Sequence, residues 1–320
     1  MTKRTAALAK LTRPRLYEAV HRERLFKRLD EQRQQMPVTL VAAPPGAGKT
    51  TLVASYLEAR KLTGIWYQVD PGDSDPATFF YFLGLAERGL SSKQKKGSAL
   101  PLLTPEYLPD LVGFARRFFR ELFSRVEIPS TVVFDNFQEA GEESNFHTAL
   151  VAALDEVPEG VHVFLVSRHP PPDRYARLAA NRAMGLLDWE TIKLSWAEAS
   201  DILNVAGLPI DPLIAKSLHE RSGGWAAGLV LLTEQFRRQL NFEIASHTDS
   251  MQQVFAYFAG QLFDQMAPAE QSMLLQFSFL PSISESHARE LAASKGAHEL
   301  LESLFRRHLF TDRRRGAEWV

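Results

Sequence analysis

The sequence predicts a parallel α/β sheet in its first half and a helical second half. Three observations carry this. Apolar, β-rich runs alternate with helical patterns as far as Ser195. The runs are rich in Val, Ile, Phe and Leu with little alternation, as strands covered on both faces require. Beyond Ser195 the strand patterns stop and apolar residues recur at helical spacing.

Strands are expected at Val38–Ala43, Gly64–Val69, Thr131–Asp135, Val161–Ser167 and Thr191–Leu194. Between the second and third, Asp75 can cap a helix and Pro76 fits its first position, with Phe79, Phe80, Phe82 and Leu83 following. That aromatic run reads as a buried helix start, not as a stacking platform. Arg88–Pro105, with Lys93, Lys95, Lys96 and Gly97, reads as an exposed loop whose lysines are solvated. Leu108, Leu111, Val112, Ala115, Phe118, Phe119, Leu122, Phe123 and Val126 then mark a strong helix, with Arg116, Arg117 and Arg120 opposite.

Second-half helices are expected over Trp196–Ala206, Pro212–Arg221, Trp225–Leu240, Met251–Met266, Pro268–Phe279, Glu285–Ala293 and His298–Arg307. Leu309–Val320 alternates and turns at Arg313–Gly316, as a β-hairpin would. Helices followed by a hairpin predict a winged-helix unit. The chain stops at Trp319–Val320, inside the second strand of that hairpin, so a fragment of a longer protein is expected. The expected divisions are a lead-in segment 1–36, an α/β domain 37–195, a helical domain 196–248 and an incomplete winged-helix domain 249–320.

Composition narrows the function classes. With 320 residues, 45% hydrophobic and 23% charged, the chain has an ordinary globular balance and room for two or three domains. A net charge of -1 supplies no global field toward nucleic acid or anionic lipid. The absence of cysteine excludes disulfides, thiolate metal sites and cysteine nucleophiles, and suits a reducing compartment. Met1–Leu16 is basic without the apolar run of a secretory signal, and no apolar stretch approaches the ~18 residues of a membrane span. A cytoplasmic protein without membrane contact is expected.

The chemistry concentrates after the first strand. Val38–Ala43 runs straight into Pro44, Pro45, Gly46, Ala47, Gly48, Lys49, Thr50 and Thr51, followed by the apolar helix Leu52–Ala59. This is the phosphate-loop pattern G-x-x-x-x-G-K-[ST] between strand and helix, with Ala43 where the first Gly is usual. Gly46 and Gly48 let successive backbone N–H groups turn inward, and the helix N-terminus adds partial positive charge. Lys49 can reach the β- and γ-phosphates, Thr50 can ligate Mg²⁺ and Thr51 can contact an α-phosphate. The fold class is therefore an α/β P-loop NTPase, with ATP or ADP and Mg²⁺ as cofactors.

Mg²⁺ needs a carboxylate beside the threonine. Asp135 ends an apolar strand; alone it would be a turn former, but downstream of a phosphate loop it reads as the metal ligand. The next residue, Asn136, cannot take a proton from attacking water, and Glu139 is the substitute base, so hydrolysis is expected to be slow. Arg168 follows the fourth expected strand. It is either a sensor of the γ-phosphate or a surface arginine before the Pro170–Pro172 turn.

In the order and spacing of these pieces the chain resembles the STAND class of signal-transducing ATPases, and within it the nucleotide-binding module of large LuxR-type transcriptional regulators such as the maltose-regulon activator. The resemblance rests on Lys10–Pro14 with Val20–Leu25, the loop Ala43–Thr51, Trp66–Asp70 with Gly72, Asp73 and Asp75, Leu165–Arg168, Ser222–Leu229 and Pro268–Ser278. It implies a sheet order 2-3-4-1-5, with Arg168 between Lys49 and Asp135. It further implies that Val20 and Arg22 lie near the adenine and that Trp225 and Ala226 pack by the base, although Trp225 also reads as a core tryptophan. The implied role is a switch: ADP holds the domains together, and ATP plus an inducer or protein partner releases them for self-association.

Two departures matter. Asn136 stands where the family often carries a second acid, and the family's ADP-binding histidine belongs to a segment beyond residue 320. Rival readings are a non-hydrolysing, nucleotide-stabilised scaffold and a P-loop small-molecule kinase, the latter lacking an acceptor-site base. Direct DNA binding by this segment is not expected: Arg306, Arg307 and Arg313–Arg315 read as a solvated helix end and wing.

Overall fold

The computed structural model describes residues 8–90, 99–207 and 211–237, and beyond these 260, 263–264, 266–280, 282–284, 287, 296–306 and 311. Five parallel strands form one sheet: β1 Val38–Ala42, β2 Thr63–Gln68, β3 Ser130–Asp135, β4 Val161–Ser167 and β5 Met184–Leu187. Their order is β2-β3-β4-β1-β5, as the resemblance implied. Val38 of β1 is aligned with Val163 of β4 on one side and with Met184 of β5 on the other. The carboxyl ends of β1, β3 and β4 therefore share one rim, where an open α/β sheet places its ligands.

Successive strand residues supply two cores. On one face Val41, Trp66, Val133 and Phe164 pack with Leu25 and Phe26 of α1 (Glu23–Gln35) and Leu52 and Tyr56 of α2 (Lys49–Ala59). On the other, Leu40, Tyr67, Phe134 and Leu165 meet Phe79 and Phe80 of α3 (Pro76–Leu90), Phe118 and Phe119 of α4 (Leu111–Arg125) and Phe146 of α5 (Asn145–Leu154). Both faces are dry, which is why the strands read as continuous apolar runs. Asp75 caps α3 as expected, accepting the Thr78 backbone N–H at 3.0 Å. The aromatic run at its start is core, Phe79 and Phe80 being fully buried. The helix expected from Leu108 begins at Leu111, because Pro105–Asp110 forms a 3-10 turn and Asp110 accepts the Gly113 N–H at 3.0 Å.

The fifth strand requires a correction. After α6 (Ala176–Ala180) the sheet is completed by Met184–Leu187, not by Thr191–Leu194. Asp188 accepts both the backbone N–H (2.9 Å) and the hydroxyl (2.7 Å) of Thr191, winding that segment into the helical turn α7 (Trp189–Ile192). Met184–Leu187 was inconspicuous because it is only four residues long and buries alternate positions: Leu187 is covered while Leu186 faces solvent.

Helices α8 (Trp196–Val205), α9 (Pro212–Ser222) and α10 (Ala226–Arg237) follow. Ser195 and Glu198 form a capping box that starts α8. Leu203, Leu218, Leu229 and Leu232 share one apolar cluster with Met273 and Phe277 of the helix Pro268–Phe277 and Leu301 and Leu304 of the helix Ala297–Arg306. The lead-in segment is strapped across both halves. Lys10 reaches Asp70 (2.6 Å) and Asp73 (2.8 Å), and buried Arg22 pairs with Glu198 (3.0 Å) while donating to the Ile192 carbonyl. The expected lysines 93, 95 and 96, most of the helices expected at 251–266 and 285–293, and the hairpin at 309–320 lie outside the described residues.

Candidate functional site

The phosphate loop leaves β1 at Ala42 and enters α2 at Lys49. Gly46 and Gly48 turn it at φ +71° and +81°, in the left-handed region that glycine enters freely. Gly48 is the N-cap of α2 and no side chain caps it, so the first-turn N–H groups face the loop's concavity. Ala43, in place of the usual glycine, is buried and its carbonyl accepts the Lys49 ammonium at 2.7 Å. The Pro44 carbonyl is a second acceptor at 2.9 Å. Pro45 is exposed and Ala47 is packed into the core. Burial, and then repulsion from Arg168, lowers the Lys49 pKa to about 8, against a smaller opposing pull from Asp135.

Buried Asp135 ends β3 directly opposite the helix start, and the Thr50 hydroxyl donates to its Oδ1 at 3.0 Å. Thr51 is exposed on the following turn and lines the adjoining cavity. Asn136 adopts a left-handed φ of 57°, which folds Phe137–Ala140 into a 3-10 turn beside the tip of β4. Gln138 and Glu139 on that turn face Arg168. The Arg168 backbone N–H donates to Gln138 Oε1 at 2.9 Å, and its guanidinium lies 3.6 Å from Glu139 Oε1. Lys49, Thr50, Asp135, Glu139 and Arg168 thus converge on one rim.

Beside the loop lies a cavity of about 500 Å³ between the lead-in segment, α8 and α10. Val20 and Arg22 line it together with Leu52, Ile202, Ala226 and Val230. Trp225 sits one step behind this wall. It is buried, and its indole N–H donates to the Pro45 carbonyl at 2.8 Å. The Ala227 N–H likewise donates to the Gly46 carbonyl at 2.9 Å. Helix α10 is therefore hydrogen-bonded to the phosphate loop itself. Gln138, Ala227 and the Arg22–Glu198 pair were not singled out from sequence; Trp225–Ala227 carried a faint signal in its Gly-Gly-Trp approach.

The groups present fit a nucleoside polyphosphate. Uncapped N–H groups, a buried ammonium and a nearby guanidinium are matched by several anionic oxygens, which would offset both the burial of Lys49 and its repulsion from Arg168. Thr50 and Asp135 fit Mg²⁺, which takes one or two protein oxygens and completes its octahedron with water and phosphate. The largely apolar cavity beside them is of a size to hold a base and ribose.

Residues 259–320 match the MalT winged helix domain family. The chain is 27% identical to the HTH-type transcriptional regulators MalT of Vibrio parahaemolyticus and Vibrio campbellii, over 94% of its own length and 34% of theirs. A MalT of Yersinia enterocolitica is also 27% identical, over 95% of this chain and 34% of the relative. The chain thus spans about a third of the length of the curated relatives it matches. Among solved structures, the Aeropyrum pernix ORC1 protein in complex with DNA is similar over 94% of this chain and 89% of that one, with 13% identity and a TM-score of 0.43. A Walker-type ATPase of Pyrococcus abyssi aligns over 93% of this chain and 91% of that one, with 14% identity and a TM-score of 0.42. The chain has an α/β P-loop NTPase fold with a winged-helix segment at its C-terminal side, and its homologues are MalT-type transcriptional regulators.

Proposed function

We propose that this chain is the nucleotide-responsive switch of a STAND-type transcriptional regulator. It binds ATP or ADP with Mg²⁺ and hydrolyses ATP slowly. The observation that carries this reading is the pair of hydrogen bonds from Trp225 and Ala227 to the phosphate loop. Whatever the loop grips is thereby felt by α10, and through its apolar cluster by the winged-helix segment.

In this reading the backbone of Pro44–Thr51 cradles the phosphates and Lys49 neutralises the β- and γ-oxygens. Thr50 and Asp135 hold Mg²⁺, and Arg168 reports the γ-phosphate. The bound nucleotide supplies a transferable terminal phosphoryl group. Glu139 is the general base within reach of the rim, with Asn136 unable to serve. Val20 and Arg22 border the base, while Trp225 positions the loop. Flipping such a switch from 1:99 to 99:1 needs roughly 5.5 kcal/mol of differential affinity, more than one γ-phosphate's contacts supply. An inducer or protein partner provides the remainder, and the released state self-associates. In this reading the divisions 1–36, 37–195, 196–248 and 249–320 are the moving parts of the switch, in a cytoplasmic protein, with DNA contacted elsewhere in the regulator. No helix among the described residues is long and apolar enough to cross a membrane.

The test is the nucleotide content of the purified protein, followed by Lys49→Ala. Retained ADP, and thermal protection by Mg·ADP that Lys49→Ala abolishes, support the switch. Unchanged uptake in the variant sinks it. Asn136 favours a second reading, a nucleotide-stabilised scaffold without turnover. A steady-state assay separates the two: turnover lost in Glu139→Ala rules the scaffold out.

A further inference from the structure

Three contacts join the tips of β3 and β4 into a closed arrangement. Gln138 Oε1 accepts the Arg168 backbone N–H at 2.9 Å, and Gln138 Nε2 donates to Glu139 Oε1 at 2.9 Å. The same Glu139 oxygen lies 3.6 Å from Arg168 Nη1. Gln138 therefore fixes both members of the ion pair: it pins the backbone of one and orients the carboxylate of the other. Because the Arg168 backbone is tethered, its side chain can change partner without the loop moving. The pair is open to solvent, with the Arg168 side chain 45% and the Glu139 side chain 32% exposed. An incoming anion can therefore compete for the guanidinium.

We propose that Glu139, oriented by Gln138, sets the preference between nucleoside triphosphate and diphosphate by competing with the terminal phosphate for Arg168. This rests on the nucleotide-binding reading above and extends it to a discriminating residue. A diphosphate leaves the Arg168–Glu139 pair intact. A triphosphate draws Arg168 onto its third phosphate, so the pair must break, and the triphosphate alone bears that cost. The same exchange frees Glu139 for its role as base, so the base is released only when the γ-phosphate is in place. Glu139 thus biases the resting protein toward the diphosphate form.

The test is a double-mutant cycle on the full chain, read by calorimetry with Mg·ADP and with a non-hydrolysable imido analogue of Mg·ATP. Glu139→Gln should tighten the analogue relative to ADP by about two- to fivefold, the strength of an exposed ion pair. Gln138→Leu should shift the ratio in the same direction. In an Arg168→Ala background Glu139→Gln should leave the ratio unchanged, because the competition no longer exists. An unchanged ratio in Glu139→Gln alone overturns the proposal. So does an equal shift in the Arg168→Ala background, which would reduce Glu139 to plain charge repulsion. If the unmodified chain binds neither nucleotide, the nucleotide-binding reading itself fails and this inference with it.

Discussion

Replacing Gly46 by Ala probes the joint between the phosphate loop and α10. Two costs add. The left-handed φ of +71° costs an L residue about 1–2 kcal/mol. The new methyl also falls 2.6 Å from the Ala227 Cβ and 3.0 Å from the Trp225 indole nitrogen. Neither neighbour can retreat, since both are held to the loop by hydrogen bonds of 2.9 and 2.8 Å. Overpacking of this kind costs a further ~1–3 kcal/mol. Gly48→Ala is the control: its φ is +81°, but the nearest atom met is the Ala226 Cβ at 3.8 Å. Urea denaturation of nucleotide-free protein should therefore show losses of about 2–5 kcal/mol for Gly46→Ala and about 1–2 kcal/mol for Gly48→Ala. In an Ala227→Gly background the cost of Gly46→Ala should fall toward the Gly48→Ala value. Equal losses for the two glycines, or no relief from Ala227→Gly, would show that the loop and α10 are not joined as described.

Three further outcomes are expected. The Lys49 pKa is lowered to about 8; if its charged form holds phosphate, as proposed, calorimetry should show nucleotide affinity falling about tenfold from pH 7 to pH 9, less so in Lys49→Arg. The sign is opposite for the free protein: the unfolded chain retains the proton up to about 10.5, so stability rises with pH through that window. Glu198→Ala strands the buried Arg22 guanidinium and should cost about 3–5 kcal/mol in denaturant titrations; a loss below about 1 kcal/mol would remove the strap from consideration. His147, held neutral by burial and then by Arg174 down to about 4, must charge when the chain unfolds in mild acid. Stability should drop as pH falls from 6.5 toward 4, by up to about 3 kcal/mol, and His147→Gln should flatten that slope.

Legibility in the sequence followed contiguity. The strand, loop and first helix of the phosphate site are consecutive, so Lys49 and Thr50 could be placed from spacing alone. The three inner strands and edge strand β2 stood out because their apolar residues run consecutively, whereas Met184–Leu187 had only alternate residues to declare itself. Arg168 stayed ambiguous until strand order was known, since its meeting with Glu139 depends on β4 lying between β3 and β1. Gln138 carried no signal at all: a half-buried amide acquires its role only from the alignment of two strand tips. Trp225 was noticed, but its partner Pro45 is 180 residues away, and no local pattern encodes that bond.

The attachment of α10 to the phosphate loop bears on how this protein can be dissected. A polypeptide cut after Ser195 would keep every residue of the P-loop motif and still lose the bracing that sets the loop's curvature. The Pro45 and Gly46 carbonyls would turn to water, and the apolar side of the adjoining cavity formed by Ala226, Ala227 and Val230 would vanish. Poor binding by such an excised sheet would report the missing brace and not a defective motif.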